Sequence, residues 1–250
     1  MRAGTDLVTW THVVLDGAWS DAAAAFWAVA LDGTWRAAGP DPDLAASLVP
    51  RDGDPYVHRA GRGRSAPALV LEVADVAATS QRLLALGARS TGGGTDLLSP
   101  GGLRLRLTAD PSSLEHGQGH RRAPAARWPD GTCSRLVQVC LDCPPDAATT
   151  EAAFWRAATG WAWRASDSPE FLGHLVPASG PVQLLVQRRA STTPHEVTAH
   201  LDVGASDREA EAVRLTALGA ARLGSGDGWV VLADPDGRVF CACGQSPEAP

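Results

Sequence analysis

Apolar and polar positions alternate from Val8 to Asp16 (VTWTHVVLD), a period of two that predicts a β-strand. Behind it, Ala23, Phe26, Trp27, Ala30 and Leu31 recur at helical spacing, with Ser20 placed to cap the helix. Short extended stretches follow near 33–37, 44–49 and 56–59. The pattern then restarts. Ala68–Val73 is a strand, Asp75 a cap, and Val76–Leu86 a helix stopped by Gly87. Strands near 88–91, 95–99 and 103–107 complete it, so the order βαβββ occurs twice in this half.

The second half copies the first. Ala-Ala-Phe-Trp at Ala24–Trp27 and Trp-Arg-Ala at Trp35–Ala37 recur at Ala152–Trp155 and Trp163–Ala165, both 128 residues on. Leu83–Ala88 recurs as Leu215–Ala220 after 132 residues, and the turn Pro100–Gly102 as Pro235–Gly237 after 135. One order with a slowly drifting offset means a duplicated domain with small insertions. Strands at Leu136–Asp142, Ala199–Val203, Trp229–Ala233 and Val239–Cys243 fit this copy, as does a helix over Ala147–Thr159. Ser206 with Glu209 reads as a capping box for a helix ending at Gly219. The expected domains are 7–109 and 133–245. Between them, 110–132 is a linker rich in Gly, Pro, Arg and His. His116, His120, Arg121 and Arg122 read as solvated linker residues, and so does the Arg59–Arg64 loop.

Composition narrows the chemistry. All 22 basic residues are Arg, and Lys, Asn and Ile are absent, which fits a GC-rich genome and removes lysine Schiff-base chemistry. A net charge of −6 without a basic half argues against nucleic acid. No apolar run is long enough to span a membrane, and no signal peptide is read, so a cytoplasmic protein is expected. The five cysteines, all beyond position 132, read as reduced thiols.

Paired βαβββ modules resemble the vicinal-oxygen-chelate superfamily of glyoxalase I, extradiol dioxygenases and bleomycin-binding proteins. The likeness is carried by Phe154-Trp155 with Gly160-Trp161, His200-Leu201-Asp202 and Leu218-Gly219-Ala220. It continues through Trp229–Leu232 into Asp234–Gly237 and Phe240-Cys241. It implies an α+β fold of two tandem glyoxalase-like domains, each with a sheet curled into a half-barrel. In the metal-dependent members, ligands come from the first, fifth and eighth strands, the last a Glu four residues past the turn glycine. The matching positions are His12, Val70 and Arg106 in the first half, and Gln138, His200 and Cys241 in the second. Both halves lack the acid, so no metal is expected. A divalent ion (zinc, nickel, iron or manganese) at Gln138 and His200 is the alternative.

Strand alternation places Gln138, Cys140 and Asp142 on one face, with His200 beside Asp202 and Cys241 beside Cys243. His200 and Cys241 are the candidate catalytic pair, the thiol a nucleophile or zinc ligand. Buried small hydrophobes are the plainer reading of the cysteines. Cys140 and Cys143 point to opposite faces and do not form a zinc knuckle. Candidate ligand-binding residues are His12, Glu72, Arg104 and Arg106 in the first half, with Gln138 and Trp229 in the second. The arginines suit a substrate anion, and a structural ion-pair network is their alternative. Among the nine Trp, Trp27, Trp155, Trp35 and Trp163 read as core, while Trp10, Trp161 and Trp229 are free to line a pocket. Two functions are open. The sequence leans to a metal-free binder of a small organic molecule, similar to bleomycin-binding proteins. The alternative is an enzyme (lyase, isomerase or dioxygenase) acting through the second half. A monomer or homodimer is expected in either case.

Overall fold

The computed structural model describes residues 7–38, 41, 43–61, 68–109 and 119–248. The first domain runs β1 (Trp10–Leu15), α1 (Asp21–Ala30), β2 (Gly33–Ala37), β3 (Leu44–Pro50) and β4 (Val57–Ala60). It continues β5 (Leu69–Val73), α2 (Val76–Ala85), β6 (Arg89–Ser90), β7 (Asp96–Leu98) and β8 (Arg104–Ala109). A short β9 (Ala126–Arg127) precedes the second domain. That domain begins β10 (Cys133–Cys143), α3 (Ala148–Thr159), β11 (Ala162–Ala165), β12 (Phe171–Val176) and β13 (Gln183–Arg188). Its second module is β14 (Thr198–Ala205), α4 (Arg208–Ala217), β15 (Ala221–Ser225), β16 (Trp229–Ala233) and β17 (Val239–Cys243).

The sheets are open and mixed. The first has the order β2-β3-β4-β1-β5-β8-β7-β6, and the second β11-β12-β13-β10-β14-β17-β16-β15 with β9 on β10. In each module the helix connects the first strand to a hairpin, and the last strand returns parallel to the first, as β4 does on β1 and β8 on β5. The two modules then join antiparallel through β1·β5 and β10·β14. One face of each sheet meets the helices, where Trp27, Trp155, Leu69, Leu105, Leu136 and Phe240 are fully buried. The other face is concave, and there the polar residues lie.

Local signals behave as their chemistry requires. Ser20 and Asp75 cap α1 and α2 by accepting from Ala23 N and Ala78 N. For α4 the cap is Asp207, not Ser206, whose hydroxyl instead accepts from Cys133 N. Asp207 sits one residue nearer the first helical turn, so its carboxylate reaches Glu209 N and Ala210 N. Each first helix ends on a left-handed residue, Asp32 in one copy and Gly160 in the other. Trp10 and Trp161 are core residues rather than pocket walls: both are buried, and the Trp161 indole donates to Val8 O. Trp35 and Trp163 pack partly buried against the core.

The domains pack through a pseudo-symmetric interface. Arg82 of α2 donates to the last carbonyls of α3, at Ala157 and Ala158, and Arg214 of α4 donates to Ala30 O at the end of α1. A cation at a helix C-terminus offsets both its unpaired carbonyls and its dipole. The first-domain helix α1 places Trp27 against Phe240, with ring centroids 5.1 Å apart, and its indole donates to Asp234 Oδ2 at 2.8 Å. In the equivalent contact the Trp155 indole donates to Glu151 Oε2, and Glu151 Oε1 accepts from Gly101 N of the first domain.

The segment before β9 does not behave as a solvated linker throughout. The His120 ring stacks on Trp10 at 4.6 Å, and its Nε2 meets Glu72 Oε2 at 2.7 Å. The buried carboxylate gives this imidazole an ionic partner that the flanking Gly, Pro and Arg residues do not announce. His116 lies outside the described residues, as do positions 62–64 of the arginine loop.

Candidate functional site

Strand β10 is the hub of the second concave face. Antiparallel pairing with β14 sets Gln138 opposite Asp202 and Cys140 opposite His200, and β17 sets Cys241 beside Asp202. The intervening residues Val139, Leu141 and Leu201 go into the core. The period of two that buries one face therefore gathers polar side chains on the other.

His200 is held from both sides. Its Nδ1 lies 2.6 Å from Asp142 Oδ2, while Nε2 lies 3.3 Å from Asp202 Oδ1 and 3.7 Å from Cys241 Sγ. Gln138 donates its amide to Asp202 Oδ2, and its Oε1 accepts from Gln183 Nε2 at 2.9 Å and His174 Nδ1 at 3.1 Å. Its oxygen is thus occupied by protein donors, so Gln138 positions Asp202. Cys140 donates to Gln187 Oε1 at 3.1 Å. Burial alone would push the His200 pKa down, but the flanking Asp142 and Asp202 carboxylates outweigh it and hold the imidazolium well above its ordinary range. Burial pushes the Cys140 and Cys241 thiols up, with His200 pulling the other way. Without a metal these sulfurs stay protonated at neutral pH, unlike an activated nucleophile. Burial also lowers the His174 pKa.

The cluster floors a cleft of about 340 Å³, with Phe171, His174, Leu185, Arg208, Trp229 and Gln245 among its walls. Trp229 meets Phe171 edge to face at 5.5 Å. Trp229 is therefore where the sequence places it. Cys140 and Asp202 are legible there only as face-mates of Gln138 and His200. Phe171, His174 and Arg208 carry no sequence motif at all. A larger cavity of about 550 Å³ lies between the domains, with mostly apolar walls that include Trp27, Leu103 and Phe240. Arg104 reaches this cavity, which shares Asp142 and His200 with the site.

The first concave face is built differently. His12 pairs with Val70 as Gln138 pairs with Asp202, and Val70 pairs with Arg106 as Asp202 pairs with Cys241, so His12 is the counterpart of Gln138. Val70 then stands where Asp202 does, and Arg106 where Cys241 does. His12 and Glu72 are tied to each other at 2.7 Å in a run from Ser47 through His58, His12 and Glu72 to His120. Arg106 does not join Glu72. It pairs with Asp41, Asp43 and Asp96, the last at 2.6 Å, which is the structural network rather than an anion receptor. Arg104 is the exposed arginine of that strand.

The family described as a glyoxalase-like domain matches the chain twice, over residues 12–115 and 138–243. The chain belongs to this family. It lies within the vicinal-oxygen-chelate superfamily. No curated protein matches the sequence significantly. Among solved structures, this glyoxalase-like protein resembles a catechol 2,3-dioxygenase at 15% identity and TM-score 0.55, over 98% of this chain and 91% of the other. It also resembles a triple mutant of 4-hydroxymandelate synthase from Streptomyces coelicolor, at 14% identity and TM-score 0.52, over 96% and 93%. A third is 2,2',3-trihydroxybiphenyl 1,2-dioxygenase from Sphingomonas wittichii, at 13% identity and TM-score 0.53, over 94% and 90%. These likenesses establish the shared fold. No helix among the described residues is long and apolar enough to cross a membrane.

The superfamily pattern raises the question of a divalent ion, and the second glyoxalase-like domain has donors that fit one. Single donor atoms of Cys140, His200 and Asp202 lie within 4.8 Å of one another. Asp202 Oδ1 is buried and accepts no hydrogen bond, and the positive group that meets it is the His200 ring, whose Nε2 stands 3.3 Å away where an ion would replace its proton. Asp142 holds the other imidazole nitrogen, as a carboxylate commonly does behind a metal-bound His. The acid missing from the eighth strand is supplied by Asp202, the register partner of Cys241.

Proposed function

We propose that the second domain is the active half of a vicinal-oxygen-chelate enzyme that transforms a small organic molecule, with Cys140, His200 and Asp202 holding a divalent ion. The convergence of those donors around the Asp202 oxygen, which accepts no hydrogen bond, carries this reading. A mixed nitrogen, sulfur and oxygen donor set suits zinc best among common ions. Such an ion supplies Lewis-acid polarisation of a substrate oxygen.

The chain's own residues do the rest. Asp142 fixes the His200 tautomer, so that Nε2 is the nitrogen presented to the cleft. Gln138 fixes the Asp202 carboxylate, and is itself fixed by Gln183 and His174. Leu185, Phe171 and Trp229 exclude water from the floor and provide an apolar wall. Proton and metal compete for His200, so metal uptake strengthens as pH rises. A redox-neutral isomerase or lyase reaction fits this site better than ring cleavage, because a soft thiolate suits zinc more than a hard, oxygen-chelating centre.

Elemental mass spectrometry of the untagged protein tests the proposal. The expected result is near-stoichiometric metal, zinc foremost, that is lost in His200→Ala and reduced in Asp202→Asn. A wild-type protein that is empty and takes up no added metal would overturn it. The metal-free binder would then stand, a reading that Cys241 in place of the eighth-strand acid favours.

A further inference from the structure

We propose that Arg208 is the anion-binding residue of the second-domain cleft, and that the molecule taken there is a small aromatic or apolar acid. This rests on the cleft being the functional site, as proposed above. Arg208 is the first residue of α4, directly after the cap Asp207. A cation at that position opposes the helix dipole, whose positive end is the N-terminus. The acids flanking it in sequence are engaged by other groups. Asp207 is used by the backbone amides of Glu209 and Ala210, and Glu209 by Arg222 at 2.8 Å. Among the described residues Arg208 forms no hydrogen bond or ion pair. Its Nε is buried and unpartnered, and the side chain lines the cleft. Gly244 lies beside it, where an added Cβ would stand at ordinary contact distance, 3.7 Å, from Nη1.

The duplication supplies an internal control. In the first domain Asp75 caps α2 in the same way, and the next residue is Val76. The helix start therefore does not need an arginine. A charge placed against the dipole, with a buried donor left open, is expected where a ligand completes the arrangement. A guanidinium in a partly enclosed site pairs best with a carboxylate or phosphonate. Phe171 and Trp229 line the same cleft and suit a flat apolar body. The acid group would sit at Arg208 and the reacting end toward His200.

Isothermal titration of the full chain with phenylacetate, phenylphosphonate and the neutral phenylacetamide tests this. In the wild type, at least one acid should bind about tenfold or more tighter than the amide, as a charge-assisted pair implies. The acid that binds more tightly identifies carboxylate or phosphonate as the preferred group. Arg208→Gln should abolish the preference by weakening the acids to the level of the amide, and Arg208→Lys should restore part of it. The melting temperature of Arg208→Gln should be unchanged or higher, because a cation leaves a helix N-terminus. Equal binding of acids and amide, no binding of either acid, or a preference that survives Arg208→Gln would overturn the inference. Metal content is measured on every sample. An acid preference that persists in metal-free His200→Ala protein would support Arg208 independently of the metal reading.

Discussion

The hydrogen bonds around His58 are all made with that ring neutral, and this makes a stability prediction. With one proton on the His12 ring, Nε2 donates to the Glu72 carboxylate and Nδ1 accepts from His58 Nε2. His58 Nδ1 then accepts from the Ser47 hydroxyl. A neutral His58 completes the chain. Burial, helped by His12, drives its pKa down to about 3. In the unfolded chain the same imidazole titrates near pH 6.5. Below that pH the unfolded state binds a proton that the native state refuses, so stability falls as pH drops from 6.5 toward 3. The slope is at most about 1.4 kcal/mol per pH unit for this one proton. Urea unfolding at pH 4 to 7 should show a shallower acid loss in His58→Gln than in the wild type. Equal slopes would mean that native His58 accepts the proton. None of this is visible in the sequence, where His58 and Ser47 are ordinary residues of two short strands. His12 is legible as a concave-face residue, but its partners come from strand pairing and from His120, some hundred positions along the chain.

At the scale of elements, the two helix–turn contacts across the domain interface solve one problem in two ways. A buried tryptophan on each first helix needs an acceptor. On one side the acid is in the turn, at Asp234, and the matching helix position is Ala23. On the other the acid is in the helix, at Glu151, and the matching turn position is Ser99. Both turns otherwise bond alike, Ser99 Oγ accepting from Leu103 N and Asp234 Oδ1 from Arg238 N. Removing Asp234 leaves the Trp27 indole without its acceptor and takes one of two carboxylates from Arg238, a loss of about 1–3 kcal/mol for the unsatisfied buried donor. Asp234→Ser should therefore destabilise the fold. Adding Ala23→Glu, which recreates the other interface, should recover at least about 1 kcal/mol. A double-mutant cycle by urea denaturation measures that coupling, and zero or unfavourable coupling would show that the exchange is incidental. The repeat is legible in the sequence down to the Phe-Trp pairs, whose rings meet at 5.3 Å in both copies. The exchange of acids is not, because it depends on which helix packs on which turn. The capping error at Ser206 has a similar origin. Two adjacent capping residues, Ser206 and Asp207, precede the helix there, and only the backbone path decides between them.

At the scale of the whole molecule, duplication explains why donors that could hold an ion gather in one half and not in the other. The first domain has His12, Val70 and Arg106 where the second has Gln138, Asp202 and Cys241, and its cleft is filled by its own imidazoles and by His120. That degeneracy is legible in the sequence, although the register sets Val70 against Asp202 rather than His200. The second site is only partly legible. Alternation gathers its residues on one face, but replacing an eighth-strand acid by Asp202 requires knowing that β14 and β17 lie side by side. A half without such donors is retained if the other half cannot fold without it, and the shared contacts predict that it cannot. One continuous core joins Trp27 and Phe26 of the first domain to Phe240 of the second, and each domain's arginine closes the other's helix. Neither domain hides these surfaces alone. Scanning calorimetry of the full chain should accordingly give one transition, with the calorimetric enthalpy equal to the van't Hoff value. Asp234→Ser should move that single transition down as a unit. Two separable transitions in the wild type would mean that the domains fold independently, and the first would then need a function of its own.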